Sequence, residues 1–346
     1  MHGRRELLLK EVVDQYIRTL RPISSRGLLE EYGHSFSSAT VRNELAALEW
    51  GGYLYKPYPS AGRVPTRAGY RFFAEWLLEL AELQERPQRL PVEPPEITAQ
   101  QLPDLLRRTA LLLASMTGQM GFVLAPPVES LRLAGLVMRW LAPRTVLVVV
   151  LSELGVVESR VLELERDLDA EELSKVEGIL ARRLQGLRLE ELAQLGELDV
   201  EGWHDPTVSA AVELLQGLSA KELRRRLYTE GLTQLLEGMR RERPEVVLHR
   251  VCGLLRVLED ERGFAAALER LRGGRRGLLV HVGDGAVEEL SEFSVITTAF
   301  FGDSGLLGVI GPLCLDYARA FSALRYVAGR LDAILVFANR VQEVEQ

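Results

Sequence analysis

Cysteine is nearly absent: the 346 residues hold only Cys252 and Cys314. Two thiols cannot build a disulfide framework or a four-cysteine zinc site. They fit a reducing cytoplasm, and both read as buried structural thiols. Histidine is sparse as well. Its five copies, at 2, 34, 204, 249 and 281, form no H-x-x-x-H pair, which leaves surface and packing roles and no metal site. Long apolar runs are missing. The fullest, "TVLVVVL" from Thr145 to Leu151, falls far short of the roughly 20 residues of a membrane span. The opening "MHGRRELLLKEVVDQYIRTL" returns to charge directly after its leucines and does not read as a secretory signal. Phosphate loops are missing too, since "HVGDGAVEEL" has neither G-x-G-x-x-G nor G-K-[ST] and reads as a turn between strands. No carboxylate pair is set up for acid–base work, because the glutamates of 158 to 201 recur at solvated helix positions. The expectation is a soluble cytoplasmic chain with no catalytic residue, no metal and no cofactor.

What is present supports folded domains. Hydrophobic residues make up 47% and charged residues 26%, enough apolar material for real cores. The length suggests two or three domains. Net charge is −7, which alone argues against a nucleic-acid partner, but the distribution is uneven. Residues 1 to 72 carry eleven basic against seven acidic side chains, and the acidic excess lies wholly in the remainder. A positive module on an acidic body suits a DNA-binding regulator.

Along the chain, residues 4 to 20 have Leu8, Val12, Tyr16 and Ile17 at helical spacing. "RPISS" breaks that helix, Ser24 or Ser25 can cap a second one to about Tyr32, and a third starts near Ser37. "YLYKPYPSAGRVPT" reads as a β-hairpin, and "RAGYRFFAEWLLELAELQ" as a helix leading away from it. Three helices and a hairpin predict a winged helix-turn-helix over 1–75. A helix and a stiff proline-rich linker follow over 76–103. Then come a helix, "LPDLLRRTALLLASMTGQM", and strand-like text in "GFVLAPP", "LRLAGLVMRWLAP" and "RTVLVVVLSELGVVESRVLEL". From about Leu168 the pattern turns purely helical, with Asp169 and Glu172, Asp205-Pro206, and Ser219 and Glu222 as start signals. Strands return in "GLLVHVG", "SVITTAFF" and "LLGVIGP", and a helix runs from Asp316 to Leu331. This order predicts an α+β multidomain chain. One α+β domain, in parts 104–167 and 250–340, is interrupted by a mostly helical insertion over 168–249.

The third helix carries the functional signal. At about 100° per residue, Val41, Leu45 and Leu48 share one edge, while Ala39, Arg42, Asn43 and Ala46 share the opposite side. Arginine reads guanine edges, asparagine reads adenine, and alanine can touch a thymine methyl. Ser37 and Ser38 sit at the helix start, where hydroxyls and free N–H groups suit a phosphate. In the hairpin, Ser60 lets the backbone come close, and Lys56 and Arg63 can reach phosphate or a narrowed minor groove. A recognition helix beside a wing needs this composition.

The run "SSATVRNELAALEWGGYLYKPYPSAGRVPTRAGYRFF" resembles the signature of the HrcA heat-shock repressors. Members typically read Ser-Ser-Ala-Thr-Ile-Arg-Asn-Glu and then Ser-Ala-Gly-Arg-Ile-Pro-Thr. "LLASMTGQMGFVLAPP", "SVITTAFF" and "GVIGPLCLDYARAFSALRYVAGRL" resemble later segments of the family, in order. The chain departs at Tyr58-Pro59, where members carry His-Thr, and at Leu313-Cys314-Leu315, where they carry Thr-Arg-Met. The resemblance implies a GAF-like central domain and an inserted dimerising domain. It implies a homodimer on an inverted-repeat double-stranded operator, the CIRCE element, repressing chaperone genes, with a chaperonin maintaining its active form. It would be cytoplasmic, and nucleoid-associated when on DNA. Two other readings stay open: a winged-helix regulator gated by a small ligand in the GAF-like body, and a scaffold whose N-terminal module docks protein.

Overall fold

The computed structural model describes residues 3–32, 37–83, 102–127, 131–152, 157–163, 169–188, 191, 227–239, 244–283 and 290–344. The fold is α+β. The expected proline-rich linker lies almost wholly outside these residues, as do the starts read at Asp205-Pro206 and Ser219.

The first unit holds α1 (Gly3–Thr19), α2 (Ser25–Tyr32), α3 (Ser38–Trp50), β1 (Leu54–Tyr55), β2 (Val64–Pro65) and α4 (Arg67–Leu83). Its helices turn their apolar edges inward. Leu8, Leu9, Val12 and Val13 of α1 meet Leu28 of α2 and Val41, Leu45 and Leu48 of α3, all buried. Ser24 caps α2 by accepting from Gly27 N–H at 3.0 Å, and Ser37 caps α3 by accepting from Thr40 N–H at 3.1 Å. β1 and β2 pair antiparallel, Leu54 opposite Pro65 and Tyr55 opposite Val64.

The second unit is a five-stranded antiparallel sheet between two helical layers. It takes in α5 (Leu102–Thr117) and β3 (Met120–Leu124). The chain then leaves it for β4 (Leu133–Ala142), β5 (Thr145–Ser152), β6 (Val157–Glu163) and α6 (Ala170–Leu184). It returns through β7 (Leu227–Glu230), α7 (Leu232–Gly238), α8 (Pro244–Glu259), α9 (Glu261–Arg272), β8 (Leu279–Val282), β9 (Phe293–Phe300), β10 (Gly305–Pro312) and α10 (Tyr317–Val344). The strand order is β7-β3-β10-β9-β8, antiparallel throughout. Side chains alternate between the faces, as strand geometry dictates. Val123, Ile296, Leu307 and Val309 face α5 and α10. Met120, Phe122, Val295 and Ile310 face α7, α8 and α9, where the Phe122 and Phe264 rings meet edge-on. Gly121 lets α5 pass against β3, since a Cβ there would strike the Ala110 carbonyl.

Three sequence expectations are corrected here. The strands β4, β5 and β6 do not join the sheet of β3. They form their own three-stranded sheet, order β4-β5-β6, which packs against α6 through Leu136, Met138, Val146 and Val148 on one side and Leu173, Val176, Leu180 and Leu184 on the other. The stretch from 168 to 249 is also not purely helical. β7 lies within it and pairs with β3, Tyr228 opposite Val123. The interruption of the main sheet therefore begins before β4 and ends before Leu227. Finally, Cys252 is exposed on α8 and Cys314 is only half-buried, so the thiols are not two buried structural groups.

The first unit is fastened to the second. One continuous core runs from Leu8 through Phe73 to Phe321 and Leu335. Arg71 Nη2 donates to the Val282 carbonyl at 3.1 Å, and Arg67 Nη2 and Arg250 Nη2 both reach Glu292, at 3.1 and 3.2 Å.

Candidate nucleic-acid interface

The face of α3 opposite its buried edge is open. Ser37, Ser38, Ala39, Arg42, Asn43 and Ala46 are all exposed. Arg42 and Asn43 have no hydrogen-bond or ion-pair partner among the described residues. Their donors are thus unspent, and the two alanines keep the surface low enough for close approach to another polymer. The Ser37 hydroxyl is used inside the protein, on Thr40 N–H and the Thr40 hydroxyl. It also fixes in place the N–H groups of the first turn, which suit a phosphate.

The hairpin is built by the residues of "SAGRVPT", each for a local reason. Tyr58 C=O accepts from Ala61 N–H at 2.9 Å, closing a turn whose second residue is Pro59. That turn leaves Ser60 exposed at the tip. Gly62 runs against the segment before α2, and a Cβ there would lie 2.5 Å from the Ile23 carbonyl oxygen. Arg63 then exchanges both backbone hydrogen bonds with Ile23, at 2.7 and 2.8 Å. Val64 is buried. Thr66 Oγ1 donates to the Gly52 carbonyl at 2.6 Å and accepts from Gly69 N–H at 3.3 Å, joining the hairpin base to the first turn of α4.

The two cations of the hairpin do not stand alike. Lys56 is one-third exposed, its Nζ 3.8 Å from Glu49 Oε2. The Arg63 side chain is only 14% exposed, and its Nε lies 3.7 Å from the same oxygen. Arg63, read from the sequence as able to contact phosphate or a narrowed minor groove, is thus mostly covered in the structure. Its buried Nε faces Glu49 of α3. Sequence reasoning missed Glu49 altogether. Its signal was available, because Glu49 stands seven residues after Arg42 and hence within about 20° of it on the helix. The hairpin sits over the C-terminal end of the open face. Ile23, which anchors that hairpin from the other side, carried no readable signal.

The profile described as "HrcA protein C terminal domain" matches residues 103–321. The chain belongs to the HrcA family. A heat-inducible transcription repressor HrcA of Syntrophobacter fumaroxidans is 32% identical over 341 residues, covering 96% of this chain and 97% of the relative. One from Carboxydothermus hydrogenoformans is 30% identical over 340 residues, with coverage of 96% and 97%. A crystal structure of a hypothetical protein superposes with a TM-score of 0.63 at 23% identity, spanning 98% of this chain and 99% of that one. That likeness shows a shared fold. The family profile starts beyond α4, whereas the HrcA relatives align along nearly the whole chain, α3 and the hairpin included.

Among the described residues no group of histidine, cysteine and carboxylate side chains could hold a metal ion, and no helix is long and apolar enough to cross a membrane.

Proposed function

We propose that this chain is a repressor of heat-shock genes that binds an inverted-repeat operator, of the CIRCE kind, as a homodimer. The first unit acts as the winged-helix reader, α3 being the recognition helix and the β1–β2 hairpin the wing. The five-stranded unit with its two helical layers is the GAF-like domain, and the segment from β4 to the residue before Leu227 is the inserted dimerising domain. The observation that carries the reading is the open face of α3, where unpartnered Arg42 and Asn43 stand between Ala39 and Ala46 beside a hairpin bearing Lys56. Family membership supports the repressor role and argues against an enzyme. The footprint on DNA would comprise Ser38, Ala39, Arg42, Asn43, Ala46, Lys56 and Ser60, with Ser37 acting through the helix start.

The operator's two halves require two readers at a fixed spacing. The outer face of the β4-β5-β6 sheet supports a self-association role. Val137, Leu151 and Val161 are exposed on it, Val161 at 62%, and the α6 layer covers only the other face. An open apolar sheet face is a liability in a monomer and an asset in a dimer. A chaperonin partner follows from the family resemblance. A sheet interrupted by more than ninety residues must close over long sequence separations, which slows folding and suits chaperonin assistance.

A small-ligand reading has one observation in its favour. A cavity of about 400 Å³ lies between α1, α4 and the start of α10, bounded by Lys10, Asp14, Phe73, Trp76, Asp316 and Tyr317. It joins the reading unit to the body, whereas the faces of the five-stranded sheet are filled by side chains. The deciding experiment is footprinting of the purified protein on the chaperonin promoters of its own genome. Protection of an inverted repeat is expected, and uniform, sequence-independent retention would reject the operator reading. A thermal-shift screen with small metabolites tests the second reading through any shift that Trp76→Phe abolishes.

A further inference from the structure

We infer that Glu49 and Arg63 form a positioning pair that sets the angle of the hairpin against α3, and that Arg63 itself does not touch DNA. The inference rests on the operator-binding reading. Four observations carry it. Glu49 shares its helical face with Arg42, two turns further along α3. One oxygen of its carboxylate faces a cation from each limb of the hairpin, Lys56 at 3.8 Å and Arg63 at 3.7 Å. The Arg63 side chain is 14% exposed against 33% for Lys56, and its Nε is buried with no hydrogen-bond partner. The Arg63 backbone is held on the far side by Ile23, through two hydrogen bonds.

The hairpin strands are two residues long, and a two-stranded ribbon this short has no stiffness of its own. Its direction must come from outside attachments. Ile23 fixes where the second strand starts, but a single bridge leaves rotation about the strand axis. The Glu49 carboxylate removes that freedom by drawing both limbs toward the end of the reading face. Two cations on one acid also leave the cluster with a net positive charge, so Lys56 can still face a phosphate. A reader whose helix and wing must engage together depends on this angle for sequence discrimination. Its general attraction to phosphates does not.

The experiment measures operator and random-duplex affinity as a function of salt for wild type, Glu49→Gln, Arg63→Ala, the double variant, and the swap Glu49→Arg with Arg63→Glu. A phosphate contact contributes about one unit to the slope of log affinity against log salt. The expected result is that Glu49→Gln and Arg63→Ala each cut the operator-to-random ratio about tenfold while leaving the slope unchanged. The double variant should be no worse than either single change, and the swap should regain most of the ratio. Lys56→Ala should instead lower the slope by about one. If Arg63→Ala lowers the slope by one on both duplexes while Glu49→Gln leaves the ratio intact, Arg63 is a DNA contact and the inference fails. Should Arg63→Ala fail to fold, the near-isosteric Glu49→Gln alone decides through its ratio. A wild type with no operator preference defeats the underlying DNA reading instead, which is a separate outcome.

Discussion

The Phe73 ring of α4 meets the Tyr317 ring at the start of α10 edge-on, with centroids 6.4 Å apart and planes at 70°. One ring belongs to the first unit and the other to the body, so the two share a core instead of a tether. The Tyr317 hydroxyl completes the join. It donates to the Leu313 carbonyl at 2.7 Å and pairs with the Ser294 hydroxyl at 2.8 Å. Movement of the first unit relative to the sheet would expose this cluster, and the orientation of α3 is therefore tied to the folded state of the body. That linkage couples the exposed face of α3 to the thermal stability of the body.

Burial pushes both the Tyr317 and the Tyr70 phenols far above their ordinary range. Each is neutral when folded, while the unfolded phenol ionises near pH 10. The unfolded state therefore holds fewer protons above that pH, and stability must fall as pH rises. The contribution is intact below about pH 10 and is lost above it, at about 1.4 kcal/mol per pH unit for each phenol. Urea unfolding between pH 8 and 11 should show the decline, with a shallower slope in Tyr317→Phe. That variant should also lose about 1–3 kcal/mol at neutral pH, because Ser294 and the Leu313 carbonyl lose a buried partner.

Arg42→Ala and Asn43→Ala should leave stability within about 0.5 kcal/mol, since both side chains are exposed and unpartnered. Each should weaken operator binding by about 1–3 kcal/mol and random-duplex binding far less for Asn43, which carries no charge. An unchanged operator-to-random ratio for Arg42→Ala would remove α3 from the groove.

Gly62→Ala tests why the signature has glycine before the arginine. The added methyl must push the Ile23 backbone away from a 2.5 Å approach, and backbone cannot rotate aside as a side chain can. We expect a cost of about 1–3 kcal/mol, typical of overpacking, and a hairpin displaced from Ile23. Chemical denaturation gives the first quantity. Loss of operator preference exceeding the loss of stability would report the second.

What the sequence revealed follows from the range of the forces involved. Val41, Leu45 and Leu48 were legible because a helix writes its buried edge at a local period of 3.6. The Asp169 and Glu172 capping box was legible because it is complete within four residues, and the structure has both of its bonds. Sheet membership was not. β3 and β5 both read as short apolar runs, though β3 is buried throughout and β5 at alternate positions, and nothing in such a run says which strands pair. "LYTE", the whole of β7, is too short to show a period and lies far from β3 in sequence. The fate of Arg63 was hidden for a related reason. A hairpin residue has no burial pattern of its own, and only the positions of Ile23 and Glu49 turn it inward.

The final prediction separates two apolar surfaces of the inserted unit. Leu173, Val176, Leu180, Leu184 and Leu187 recur at three- and four-residue spacing, a stripe that by its sequence can face a partner or pack the insertion's own core. The first four are buried against the β4-β5-β6 sheet, so the stripe is already used within the chain. Leu180→Ala should therefore cost about 2–5 kcal/mol of stability, as large-to-small changes in a core do. Any change in mass should appear only as the unit unfolds. Val161 lies on the other side of the sheet at 62% exposure, near Leu147, which it opposes across the strand pair. Val161→Glu puts a charge on that face and should leave the far-ultraviolet dichroism and the melting temperature of the monomer intact. Light scattering at micromolar concentration should then report half the wild-type mass, with operator affinity falling because one reader covers only one half-site. A Val161→Glu variant that keeps the wild-type mass would move the dimer contact off this sheet.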